Sequence, residues 1–71
     1  MTRYLIIVEP TETGISAYSP DLPGCVSTGR TCGEVEANMR EAIELHIDGL
    51  RAEGYPVPEA RSESAYVEVA A

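Results

Sequence analysis

The chain has 71 residues and a formal net charge of −7, from 12 acidic residues against five arginines and no lysine. This length predicts one domain, residues 1–71, with a small core. An acidic balance argues against direct binding to nucleic acid, because phosphates require cationic groups, and it permits a basic protein partner. There is no signal-peptide layout and no apolar run of membrane-spanning length, so we expect a cytoplasmic protein that does not contact a membrane.

The first part of the sequence predicts antiparallel strands. The run "RYLIIVEP" (3–10) is rich in β-formers and ends at a proline. The four-residue connection "TETG" and the run "ISAYS" (15–19) complete a predicted hairpin. The run "VST" (26–28) is a candidate third strand.

Both faces of the first predicted strand are apolar. Tyr4, Ile6 and Val8 alternate with Leu5 and Ile7. One helix covers only one face of a sheet, so the second face needs another partner. We expect self-association as a dimer or tetramer, with Leu5 and Ile7 in the interface.

A single long helix is predicted to begin after Thr31. Thr31 and Glu34 fit a capping box, and Gly54 before "YPVP" is a stop signal. The residues of one helix face are Val35, Met39, Ala42, Ile43, His46, Ile47 and Leu50. The run "SAYVEVA" (64–70) predicts a last strand at a sheet edge, where Tyr66 pairs across subunits. The predicted fold is therefore α+β, ββ(β)αβ, with one helix on one face of a three- to four-stranded sheet.

Catalytic sites are weakly supported. Cys25 lies before the helix and Cys32 at its start, but His46, the only histidine, lies on the apolar helix face. A metal-dependent nuclease site would need Glu9, Asp21 and a helix acid such as Glu34 or Glu41, and no motif spacing supports it. We therefore expect no enzyme activity, no metal and no cofactor.

The segment "GRTCGE" (29–34) has an alternative interpretation as an anion site. Gly29, Arg30 and Gly33 lie near the free N–H groups of a helix start. The spacing and the lysine of a phosphate-binding loop are absent, and helix capping alone explains the segment.

The segment "PDLPGC" (20–25) predicts a rigid corner. Pro20 and Pro23 each fix φ, and Pro23-Gly24 is a type II turn signature. Asp21 can cap local N–H groups, and Leu22 is expected to anchor the loop on the core. The residues alone leave two interpretations open, a structural turn and a binding loop.

The stretch "YSPDLPGCVSTGRTCGEVEANMREAIELHIDGLRAEGYPVP" (18–58) resembles the signature of HicB-like proteins, the antitoxins of HicA–HicB toxin–antitoxin pairs. The signature positions are Pro20, Pro23, Gly24, Cys25, Gly29, Thr31 and Glu34. The resemblance implies a fold similar to a truncated ribonuclease H, oligomers, no hydrolytic activity, and binding to a small basic HicA-type toxin that cleaves mRNA. The resemblance also describes a DNA-binding segment that follows this domain in full-length relatives; residues 1–71 contain no counterpart of it, so we do not expect operator binding by these residues.

We therefore expect an antitoxin-type protein that sequesters a HicA-type toxin. The expected partner-binding residues are Asp21, Leu22, Glu41 and Glu44. One alternative is an oligomeric structural or regulatory module without a toxin, and another is a degenerate nuclease. A short basic reading frame beside this one would favour the antitoxin.

Overall fold

The computed structural model describes all 71 residues, Met1–Ala71. Strands β1 (Ile7–Pro10), β2 (Ile15–Tyr18) and β3 (Val26–Gly29) precede one helix, α1 (Cys32–Ala52). The strands form one antiparallel sheet in the order β1-β2-β3. The predicted α+β fold, with one helix against a three-stranded sheet, is confirmed.

Strand β1 is shorter than predicted. The sequence run begins at Arg3, but only Ile7–Pro10 pairs with β2. The register opposes Ile7 to Tyr18, the last residue of β2. Beyond Tyr18 the pairing with β1 stops, because the Ser19 N–H faces β3, where it donates to the Cys25 carbonyl at 3.2 Å, and Pro20 has no N–H to donate.

Both ends of α1 follow the sequence signals. The Thr31 hydroxyl accepts a hydrogen bond from the Glu34 N–H at 3.1 Å. The Glu34 carboxylate accepts from the N–H of Arg30, one residue before the cap, rather than from Thr31 itself. At the other end Gly54 has φ of 75°, and its N–H and that of Tyr55 donate to carbonyls of the last turn. This is the Schellman arrangement that the glycine predicted.

The core lies between the sheet, the corner and one face of α1. Its buried residues are Ala17, Leu22, Cys25, Val35 and Met39. Tyr4 and Ile6 pack against this cluster, so Leu5 and Ile7 lie on the opposite face of the sheet, as alternation requires. On that uncovered face Ile7, Tyr18 and Val26 lie opposite one another across three strands.

The predicted last strand does not form within the single chain. Residues 64–70 pair with no strand, and Tyr66 is 103% exposed. A strand needs a neighbour to satisfy its backbone groups, and residues 64–70 pair with neither outer edge of the sheet. No helix of this protein is both long enough and apolar enough to cross a bilayer.

Candidate partner-binding site

The corner between β2 and β3 consists of two consecutive turns. The Leu22 N–H donates to the Ser19 carbonyl at 3.1 Å, and the Cys25 N–H donates to the Leu22 carbonyl at 3.0 Å. Gly24 has φ of 83°, which a type II turn requires at its third position. The predicted Pro23-Gly24 turn is therefore confirmed, and it is rigid because both prolines fix φ.

Leu22 anchors the corner and is not available to a partner. Its exposed fraction is 0%, and it packs in the same cluster as Val35 and Met39. The prediction that Leu22 contacts a partner is corrected by this burial, whereas its expected role as an anchor holds. Cys25 is buried beside it, and desolvation raises the pKa of its thiol. A raised pKa disfavours the thiolate that a nucleophilic cysteine needs.

Asp21 binds the segment that follows the helix. One carboxylate oxygen accepts hydrogen bonds from the N–H groups of Arg61 and Ser62 at 3.1 and 3.0 Å. The other oxygen accepts from the Ser62 hydroxyl at 2.7 Å. Hydrogen bonding to Ser62 first, and the Arg61 contacts after it, hold the pKa of Asp21 below its ordinary value. We call this contact the Asp21 clamp, and it commits the carboxylate to its own chain.

The outer face of α1 presents acids to solvent. Glu41, Glu44 and Asp48 are exposed and lie three or four residues apart, so they are neighbours on one side of the helix. Leu45 lies among them and is 67% exposed. We call Glu41, Glu44, Leu45 and Asp48 the acidic face. An exposed leucine surrounded by carboxylates offers an apolar anchor with a charged rim.

A shallow groove connects the acidic face with the corner. Its lining residues are Gly24, Cys25, Val26, Ala42, Leu45 and His46. Val26, at the start of β3, is 65% exposed. The structure thus brings the corner and the helix acids to adjoining surfaces. Leu45 was missed by the sequence reasoning, although its position between Glu44 and Asp48, off the apolar stripe, was the available signal.

The remaining signature residues have structural roles. At Gly29 a Cβ atom would lie 2.8 Å from the Val35 nitrogen, so this glycine lets the first turn of α1 approach β3 closely. Thr31 and Glu34 are occupied by helix capping. No group of three or more His, Cys, Asp or Glu side chains lies close enough together to hold a metal ion.

Comparisons with known proteins place these features in a family. The family model described as "HicB_like antitoxin of bacterial toxin-antitoxin system" matches residues 4–70. An uncharacterized 14.9 kDa protein of Haemophilus phage HP1 is 34% identical over 64 residues, which are 90% of this chain and 48% of that protein. The chain therefore spans about half the length of that relative.

Two further matches are closer in length. A UPF0150 protein of Synechocystis is 44% identical over 57 residues, 79% of this chain and 72% of the relative. A chain of the solved "HicA3 and HicB3 toxin-antitoxin complex" superposes with a TM-score of 0.74 at 35% identity, covering 84% of this chain and 70% of that one.

Proposed function

The chain belongs to the HicB-like antitoxin family of bacterial toxin–antitoxin systems, and we propose that it sequesters a small basic toxin of the HicA type. Membership in an antitoxin family favours binding over catalysis. The solved relative comes from a complex named for a toxin and an antitoxin, which supports a toxin partner for this chain.

The acidic face carries the proposal. Glu41, Glu44 and Asp48 provide three carboxylates on one side of α1, and Leu45 provides an apolar side chain at their centre. Carboxylates attract a basic partner and accelerate its encounter, while a desolvated apolar contact slows its dissociation. A toxin that binds RNA needs a cationic surface. Occupation of that surface by the acidic face would exclude RNA without any chemical step.

Reversing charge on the acidic face tests this proposal. The double variant Glu41→Arg, Glu44→Arg is expected to bind the toxin at least about tenfold more weakly, since it places cations against a basic partner. The partner to be tested is a small basic protein encoded beside this gene, which is co-expressed with the chain, and its affinity is measured by calorimetry at two salt concentrations. Both positions are exposed, so the helix content should be unchanged.

A matched control separates the local effect from net charge. The variant Glu9→Arg, Glu12→Arg changes the net charge by the same amount on the exposed β1–β2 hairpin. It should retain tight binding. If both double variants lose toxin affinity equally, the acidic face contributes only long-range electrostatic attraction. If Glu41→Arg, Glu44→Arg leaves the affinity unchanged, the acidic face is not part of the interface. Absence of any binding by the native chain would favour the module without a toxin.

A further inference from the structure

Strand β3 is an outer strand of the sheet. The strand order is β1-β2-β3, so β2 lies on one side of β3 and no strand lies on the other. An outer strand presents a row of backbone N–H and C=O groups that can pair with another chain. The free edge of β3 is therefore a candidate binding surface, provided that its backbone groups are not already occupied.

The ladder between β2 and β3 determines which groups of β3 face this edge. In an antiparallel pair, opposed residues alternate between hydrogen-bonded pairs and pairs whose backbone groups point away from each other. Ser19 continues the register opposite Cys25, and its N–H donates to the Cys25 carbonyl at 3.2 Å, so these two form a hydrogen-bonded pair. The next pair, Tyr18 with Val26, is therefore not hydrogen-bonded. The N–H and C=O groups of Val26 point away from β2, toward the free edge.

Thr28 lies two residues further along β3 and faces the same way. Its carbonyl accepts a hydrogen bond at 2.8 Å from the side-chain Nδ2 of Asn38, a residue of α1, which independently places that carbonyl on the outer side. None of the hydrogen bonds outside the helix and the ladders involves Val26 or the Thr28 N–H. The edge therefore offers two free donors and one free acceptor, and Asn38 occupies the second acceptor.

The shallow groove between the corner and α1 runs beside this edge. Val26 lines it together with Ala42, Leu45 and His46 of the helix. Side chains of a strand added to β3 would alternate between two directions. One set would enter the groove against Ala42 and Leu45, and the other would lie beside the Val26 side chain, which is 65% exposed on the uncovered face of the sheet. An added strand would thus gain apolar contact on both of its faces.

The charge around the groove selects a basic occupant. Glu41 lies one helical turn before Leu45, and both side chains are exposed. A lysine or arginine in the groove can lay its aliphatic stem along Leu45 and direct its charged end to the carboxylate. A second copy of this chain would instead bring one net charge of −7 against another, and like charges in contact oppose association.

We propose that an extended segment of the basic partner joins the sheet as a strand along Val26–Thr28, with a lysine or arginine side chain in the groove beside Leu45. The free backbone groups of Val26 and Thr28 bind the backbone of that segment, and Asn38 ends the pairing at the Thr28 carbonyl. This inference rests on the proposed function for the identity of the partner. It adds a defined position and direction, because the acidic face alone would attract a basic protein in many orientations.

A proline at Val26 tests the pairing. The Val26 N–H faces away from β2, so Val26→Pro removes no hydrogen bond of the fold, and proline is tolerated on outer strands in this orientation. The variant should bind the small basic protein encoded beside this gene at least about tenfold more weakly, measured by calorimetry. Val26→Thr keeps the N–H and the β-branched shape, so it is the matched control and should bind like the native chain.

Helix content by circular dichroism and the urea midpoint establish that both variants are folded. Equal affinity of the two folded variants overturns the strand-pairing mode and leaves the proposed function standing. Failure of the native chain to bind the basic protein overturns the proposed function and this docking mode together.

Hydrogen exchange of the native chain provides a test without substitution. Ala17 and Ser27 are the next hydrogen-bonded pair of the ladder, so the Ser27 amide should be protected in both the free and the bound chain. The amides of Val26 and Thr28 should exchange freely in the isolated chain and at least about tenfold more slowly in the complex. Unchanged exchange at Val26 and Thr28 in a saturated complex overturns the proposal. Protection of these two amides that rises with the concentration of the isolated chain would assign the edge to a second copy and overturn it as well.

Discussion

Asp21 and Ser62 are joined by two hydrogen bonds across 41 positions of sequence, from the Ser62 N–H at 3.0 Å and from its hydroxyl at 2.7 Å. This contact connects the corner after β2 with the segment after α1. It therefore places Ser62 beside residues 3–6, near the start of the chain. The corner is both a turn and an attachment point for a distant segment.

The clamp should respond to acid. Hydrogen bonds from Ser62 lower the folded pKa of Asp21 below its ordinary value of 3.8, so the contribution of the clamp to stability is fully present above that pH. It is lost as the pH falls through the lowered pKa, because a protonated carboxyl accepts more weakly. The Ser62 amide resonance should titrate with a midpoint below 3.8, and Asp21→Asn should abolish this step. A midpoint at or above 3.8 would contradict the clamp.

Gly29→Ala should destabilise the protein. The added methyl group would lie 2.8 Å from the Val35 nitrogen. Because that nitrogen is a backbone atom in the first turn of α1, the clash can be relieved only by moving the start of the helix. We expect a loss of about 1–3 kcal/mol in the free energy of unfolding, measured by urea denaturation. Gly49→Ala is the control, because its Cβ meets nothing within 4 Å in the helix interior, and it should add about 0.5–1 kcal/mol. Similar values for the two variants would refute the close approach at Gly29.

Met39→Ala should leave a cavity between α1 and the sheet. Met39 is 1% exposed and belongs to the core cluster, so its truncation should cost about 2–5 kcal/mol. Leu45→Ala, on the exposed side of the same helix, should change stability by less than about 0.5 kcal/mol. Chemical denaturation followed by circular dichroism measures both. In the toxin-binding assay Leu45→Ala should be the more damaging of the two substitutions, because it removes the proposed apolar anchor.

Thr31→Ala should remove the helix cap. The Thr31 hydroxyl is the acceptor for the Glu34 N–H at 3.1 Å, and losing such a cap costs about 1 kcal/mol. Thr31→Ser retains the hydroxyl and should restore most of the stability. A thermal midpoint unchanged by Thr31→Ala would show that the bond contributes nothing measurable.

The helix and the corner were predictable because their signals are local. Thr31 and Glu34 are three residues apart, and Pro23 and Gly24 are adjacent, so backbone geometry and short-range hydrogen bonds determine both structures. The alternation of Tyr4 and Ile6 against Leu5 and Ile7 likewise assigned the two faces of the first strand. Family resemblance added the antitoxin assignment, which the match over residues 4–70 confirms.

The candidate site was only partly predictable. Glu41 and Glu44 were chosen from the sequence and are exposed, but Leu22 was chosen with them and is buried. The burial of Leu22 depends on where the corner packs against α1, and no local sequence pattern specifies that contact. The exposure of Leu45, in contrast, follows from a local pattern, because Leu45 lies off the apolar stripe of α1.

The sequence by itself determined where the helix begins and ends, how the corner turns and which strand faces are apolar, because each depends on residues within a few positions of one another. The tertiary structure alone decided that Asp21 holds Ser62 and that the run containing Tyr66 has no sheet of its own. Both depend on the spatial approach of segments far apart in the chain, and a strand-forming sequence becomes a strand only where a free edge is within its reach.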